Sequence, residues 1–202
     1  MEAFIQGMLL AFGLILPLGP QNAFILSQGA TQPRLWQAAP AVITAGICDT
    51  LLILLAVLGV SAVLLEVPTI KMAMVIVGVC FLLFIAWQLW KTPADNKNNA
   101  PRQRMSWQKQ ILFACSVSLL NPYAYLDTIG VIGTAAMSYH RHDRMLFTTG
   151  CILTSWLWFI SMTVLGRIVG ARENKGFIAR HINHIAAMIM LFSAGYVVYL
   201  NV

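Results

Sequence analysis

The strongest constraint on this chain is a succession of long apolar runs. Six can be drawn, at about 3–26, 38–60, 68–90, 109–137, 146–168 and 182–200. A helix needs about 20 mostly apolar residues to cross the hydrocarbon of a bilayer. Runs such as 50–65 and 72–90 carry one ionisable group or none. A soluble domain of this size needs about a quarter of its residues charged to cover its surface. Here the charged share is 10%, the hydrophobic share 59% and the mean hydropathy +0.75. The chain therefore reads as an all-α integral membrane protein with six transmembrane helices and little mass outside the lipid bilayer. Met1-Glu2-Ala3-Phe4 lacks the basic residues that open a cleaved signal peptide. The first segment is accordingly expected to remain as a membrane element.

Charge sets the orientation. Arg34, Lys91, Lys97, Arg102, Arg104, Lys109, Arg167, Arg172, Lys175 and Arg180 fall on one side of the six-span drawing; Lys71, Arg141 and Arg144 fall on the other. Cytoplasmic loops carry the excess of Lys and Arg, so the connection 91–108 is expected inside and both termini outside. Trp36, Trp90 and Trp107 then lie at cytoplasmic ends, and Tyr139 and Tyr199 at outer ends, where amphipathic rings favour the headgroup level. The first segment holds Pro17, Pro20, Gln21 and Asn22, so a five-span arrangement with the N-terminus inside stays open. The net charge of +6 lies in loops and needs no nucleic-acid partner.

The polar stretch Thr92 to Met105 divides the chain into a first unit at 1–90, a cytoplasmic linker at 91–108 and a second unit at 109–202. The halves echo one another. Leu18-Gly19-Pro20 resembles Leu120-Asn121-Pro122, and Ala56-Val57-Leu58-Gly59 resembles Thr163-Val164-Leu165-Gly166. Three spans per copy force the second into the opposite orientation. The expected architecture is two inverted three-helix repeats, the first helix of each half broken, as many carriers are built.

The breaks carry the polar chemistry. Pro17, Gly19 and Pro20 strongly disfavour continuous helix, and Pro122 does the same in the fourth segment. Backbone freed at membrane depth must face protein or a water-filled cavity. Gln21, Asn22 and Asn121 offer amide donors and acceptors there, either as caps of a structural kink or as ligands for an ammonium and a carboxylate. Asp49 and Asp127 are the acids deep inside the expected spans. A membrane carboxylate normally faces the protein interior and marks a substrate, ion or proton path. The other reading is a hydrogen-bonded acid that holds helices together. Tyr125 offers a phenol donor or a ring face for a cation, or simple packing. Trp156 and Trp158, two residues apart, point in different directions on a helix and are expected to pack. Gly130 and Gly133 are spaced for close helix contact.

Other chemistry is not called for. The four cysteines fall in apolar segments without zinc spacing and read as small buried hydrophobes. His140 and His142, and His181 and His184, lie in or beside basic loops, so no metal is expected. No phosphate-binding glycine loop is present. The acids also lack the Tyr-Asp and Gly-x-Gly-Asp contexts of intramembrane aspartyl proteases. The chain is read as a transporter without a cofactor, not an enzyme.

At Leu18-Gly19-Pro20-Gln21-Asn22-Ala23-Phe24, Gln28-Gly29, Asp49 and Asn121-Pro122-Tyr123-Ala124-Tyr125-Leu126-Asp127, the chain resembles the lysine/arginine exporter (LysE) family of bacterial inner-membrane proteins. The resemblance spans essentially the whole length and is nearest to the arginine exporter group. It implies secondary export of L-arginine, with L-lysine or canavanine as related substrates, driven by a proton gradient or the membrane potential. It also implies a homo-oligomer. Carried over by motif, the site is Pro20, Gln21, Asn22, Asp49, Asn121, Pro122, Tyr125 and Asp127. The alternatives are an exporter of another amino acid and a cation or metal permease that uses the same membrane acids.

Overall fold

The computed structural model describes residues 1–16, 19–59, 105–120, 124–125 and 128–172, with single helical positions between 72 and 90 and between 187 and 195. The described elements are all helical: α1 (Glu2–Ile15), α2 (Pro20–Thr31), a 3-10 turn (Leu35–Ala38), α3 (Ala39–Val57), α4 (Trp107–Leu119), a π-helical turn (Thr128–Gly133), α5 (Thr134–Met137) and α6 (Arg141–Arg172). Leu35–Val57 and Arg141–Ala171 are long and apolar enough to cross a membrane. The helices α1 and α2, bent by 84° at their junction, together pass as a third, broken span.

The first break falls where the prolines put it, but its amides do not lie in the gap. Gly19 is the N-cap of α2 in extended backbone and Pro20 opens the helix. Proline is favoured at that position because its missing N–H would lack a helical partner anyway. Gln21 and Asn22 consequently belong to the first turn of α2. Asn22 Nδ2 reaches back 2.8 Å to the carbonyl of Ile15, one of the groups that the end of α1 leaves unpaired.

Two boundaries differ from the hydropathy drawing. The expected linker ends earlier, because α4 begins at Trp107 with Ser106 as its cap, its hydroxyl 3.4 Å from the Lys109 N–H. The fifth segment extends well beyond 146–168 at both ends, since a helix continues outside hydrocarbon when its flanks are polar. Arg144 secures the start of α6: Nε and Nη2 donate to the carbonyls of Ala136 and Tyr139, at 3.0 and 3.4 Å. The linker 91–104 and most of the third and sixth segments lie outside the described residues.

At about 48 Å by its 1.5 Å rise per residue, α6 is long enough to lie along both pieces of the broken span. It does so at two crossings without side chains between the backbones. A methyl group on Gly7 would overlap the Phe147 carbonyl, and one on Gly150 the Phe4 carbonyl. Further along, Gly29 lies against Thr163, and Gly166 against Leu26. Small residues at such crossings let helices approach closely where lipid supplies no hydrophobic drive. Of the two glycines expected to make contact near the second break, Gly133 faces the Ala56 carbonyl of α3, which an added methyl group would meet at 3.1 Å, while Gly130 has open space beside it.

The apolar core falls into two clusters. One joins Phe24, Ile25, Ala41, Val42, Ala45, Ala114, Phe159 and Met162; the other joins Ala3, Ala11, Ile53, Ile132, Ala136, Phe147 and Cys151. Along α3 the first cluster ends at Ala45 and the second begins at Ile53. Along α6 the order is reversed, from Cys151 to Phe159, so the two helices run in opposite directions. Between the clusters stand the polar residues Asp49 and Thr50 on α3 and Thr154 and Ser155 on α6.

Candidate functional site

Between those clusters stands Asp49, near the middle of α3. Gln21 Nε2 from the first turn of α2 lies 3.4 Å from its Oδ1, and Ser155 Oγ from α6 donates to Oδ2 at 2.9 Å. Among the described residues, the donors that face this carboxylate are neutral, and each oxygen keeps acceptor capacity for more. Thr50, the next residue, has its hydroxyl 2.6 Å from the Gly46 carbonyl and accepts from Trp156 Nε1 at 3.1 Å. The Trp156 ring covers Gly46, where a methyl group would meet it.

The break itself is held from α6. Trp158 Nε1 donates to Asn22 Oδ1 at 3.2 Å, and its ring meets Phe12 of α1 edge-on at 5.6 Å between centroids. Asn22 thus connects three elements, since its amide nitrogen already holds the Ile15 carbonyl. One stretch of α6 therefore supports both the acid and the break: Ser155 and Trp156 face α3, and Trp158 faces the junction of α1 and α2. The two tryptophans point apart as their spacing requires, but each indole N–H carries a specific bond.

Of the residues singled out in the sequence, the structure brings together Gln21, Asn22 and Asp49, with Gly19 and Pro20 shaping the start of α2. Tyr125 is helical and partly buried, with Cys48 of α3 and Cys115 of α4 among its neighbours. Pro17, Asn121, Pro122 and Asp127 lie outside the described residues. Ser155 and the polar role of Trp158 were not predicted. The available signal was Thr154-Ser155-Trp156-Leu157-Trp158, a polar interruption of an otherwise apolar span. Among the described residues, no group of three or more His, Cys, Asp or Glu is placed to hold a metal ion.

Carboxylates at membrane depth mark substrate, ion or proton paths, and broken helices form the binding regions of many carriers. Comparison with known proteins points the same way: residues 12–201 match the family described as LysE type translocator. The chain belongs to the LysE translocator family. It is similar to the putative amino-acid transporter YisU of Bacillus subtilis (strain 168), 46% identical over 97% of this chain and 89% of that one. It is also similar to the arginine exporter protein ArgO of Pectobacterium atrosepticum, 34% identical over 93% and 92% of the two chains. The ArgO of Escherichia coli (strain K12) is 32% identical over 95% and 90%. No solved structure matches. As a LysE member with apolar helices of spanning length, the protein is a membrane translocator.

Proposed function

We propose that this LysE translocator is a secondary exporter of basic L-amino acids, L-arginine foremost, in the bacterial inner membrane. The observation that carries the reading is Asp49. A carboxylate near mid-span, at the mouth of a helix break, is held by neutral donors and so is ready to pair with a cation. The start of α2, at the positive end of its helix dipole, suits the substrate carboxylate. Asp49 takes the α-ammonium or side-chain cation, and Asp127 takes the other or the coupling proton. Because a proton and a cationic substrate compete for the same carboxylate, alternate occupancy couples efflux to proton return. The arginine exporters among its relatives support the substrate class.

Two close approaches support the inverted repeat. Gly29, in the first span, abuts the Thr163 carbonyl in the fifth; Gly133, in the fourth, abuts the Ala56 carbonyl in the second. Ala56 and Thr163 open the two echoed stretches of sequence. Exchange of the halves therefore converts one contact into the other, and the Asp49–Ser155 bond lies where the two equivalent spans meet. Rocking of one half against the other about that layer would expose it alternately to each side.

The test is counterflow of radiolabelled arginine in proteoliposomes, with lysine, canavanine and neutral amino acids as competitors. Saturable exchange blocked by basic competitors is expected. Exchange blocked only by neutral amino acids would reassign the substrate, and no exchange with any of them would overturn the reading.

A further inference from the structure

A second polar cluster is buried where α2 ends and α4 begins. Gln32 Nε2 donates to the Met105 carbonyl at 3.1 Å and to Gln28 Oε1 at 3.3 Å. Gln110 Nε2 donates to the same Met105 carbonyl and to the Gln37 carbonyl, each at 3.0 Å. Arg167 Nη1 donates to the Gln32 carbonyl at 3.0 Å. These bonds join the end of α2, the turn before α3, the start of α4 and the last turns of α6. All four lie on the side that the excess of Lys and Arg marks as cytoplasmic. Gln28, Gln32 and Gln110 are at most 5% exposed, so this is an interior closure and not a solvated rim.

The closure divides unequally. Next to it, α2 and α6 are in backbone contact through Gly166 and Gly170, which face Leu26 and Ala30. The Arg167 bond to Gln32 adds to that contact. The bonds from Gln32 to Met105 and from Gln110 to Gln37 instead cross to and from the start of α4 through side-chain amides. They are side-chain bonds, and next to them α4 packs on α2 through Phe113 and Phe24, whose rings lie 4.4 Å apart between centroids. The network also leaves two acceptors without donors. Both donor directions of the Gln110 amide are spent on main-chain carbonyls, which fixes its orientation, and among the described residues Gln110 Oε1 and Gln37 Oε1 are then buried without a partner. A buried acceptor without a donor works against the closed arrangement. A guanidinium brings five donors and an ammonium three.

We infer that the Gln32–Met105–Gln110–Gln37 cluster is the cytoplasmic gate, which parts at the start of α4 and offers its amide oxygens to the cationic group of an entering substrate. The inference rests on the exporter reading and its orientation. Substrate entry satisfies the two oxygens and so favours parting, and the way on to Asp49 opens when the first apolar cluster, with Phe113 and Ala114 on its α4 side, separates as well. Arg167, held on the α2 side, stands beside the same path as a partner for the substrate carboxylate.

The experiment uses full-length protein with Cys48, Cys80, Cys115 and Cys151 replaced by serine or alanine, carrying Gln32→Cys and Gln110→Cys. The two amide nitrogens reach one carbonyl oxygen; a cysteine thiol is shorter than a glutamine amide, so the pair is bridged with a short reducible bis-methanethiosulfonate wherever oxidation alone does not join it. Arginine counterflow is measured before cross-linking, after it and after reduction. At least tenfold loss on cross-linking, restored by reduction, is expected; unchanged counterflow in the cross-linked protein overturns the gate. A second measurement covers a double variant that does not assemble. In vesicles, Gln110→Cys alone should react with N-ethylmaleimide several-fold faster when arginine is present, and a rate indifferent to arginine also overturns the gate. Counterflow by the unmodified protein separates the two claims, since its absence would count against export itself.

Discussion

Ser155 Oγ donates to Asp49 Oδ2 at 2.9 Å, and the two residues sit on opposed helices between two apolar clusters. The serine fixes the direction in which the carboxylate presents its remaining lone pairs. Hydrogen bonds to charged groups contribute about 1.5–3 kcal/mol. Ser155→Ala should therefore lower the apparent affinity for arginine by about 10- to 100-fold, since about 1.4 kcal/mol is a factor of ten. Ser155→Thr, which keeps the hydroxyl, should recover most of it. Initial rates of arginine efflux across a concentration series decide the matter.

Trp158 ties the break to α6 through Asn22 and Phe12. Trp158→Phe retains a ring against Phe12 but removes the N–H, at a cost of about 0.5–1.5 kcal/mol. Trp158→Ala also loses the edge-on ring pair, worth about 0.5–1.5 kcal/mol beyond burial. A graded fall in transport is expected, with alanine the worse, at equal amounts of protein in the membrane. Equal transport by all three proteins would remove Trp158 from the site.

The glycine crossings predict a stability effect apart from transport. Gly29→Leu forces a side chain into the Thr163 carbonyl, and overpacking of this kind typically costs about 1–3 kcal/mol. The variant should melt at a lower temperature in detergent. Gly13→Ala is the control, because nothing lies within 4 Å of the added carbon, and it should melt no lower than the parent.

These residues also show how far the sequence could be read. Pro17, Gly19 and Pro20 located the first break, and a carboxylate in an apolar run singled out Asp49, because both signals are local and costly in lipid. Gln21 and Asn22 were placed in the gap and lie in the helix, since Pro20 serves as its opening residue. Ser155 was illegible for a different reason. A serine or threonine inside a helix commonly bonds the carbonyl four residues back, as neighbouring Thr154 does with Gly150 at 2.9 Å. Only the tertiary approach of α3 turns Ser155 to another partner. The glycines near the second break looked helical by spacing, whereas Thr128–Gly133 forms a π-turn that presents Gly133 alone to α3.

Asp127 closes the second signature. On the proposed mechanism Asp127→Asn should abolish efflux of arginine from loaded cells while the protein still reaches the membrane, with Asp127→Glu retaining part of it. Efflux at the parental rate from Asp127→Asn would take this acid out of the mechanism.

The central claim is that the Asp49 carboxylate recognises the cation. It is tested most directly by arginine counterflow in proteoliposomes that contain matched amounts of parent protein or Asp49→Asn. The account predicts saturable exchange by the parent and at least about a hundredfold less by the variant, the loss of about 2.7 kcal/mol of recognition. Exchange by Asp49→Asn at the parental rate and affinity would contradict it.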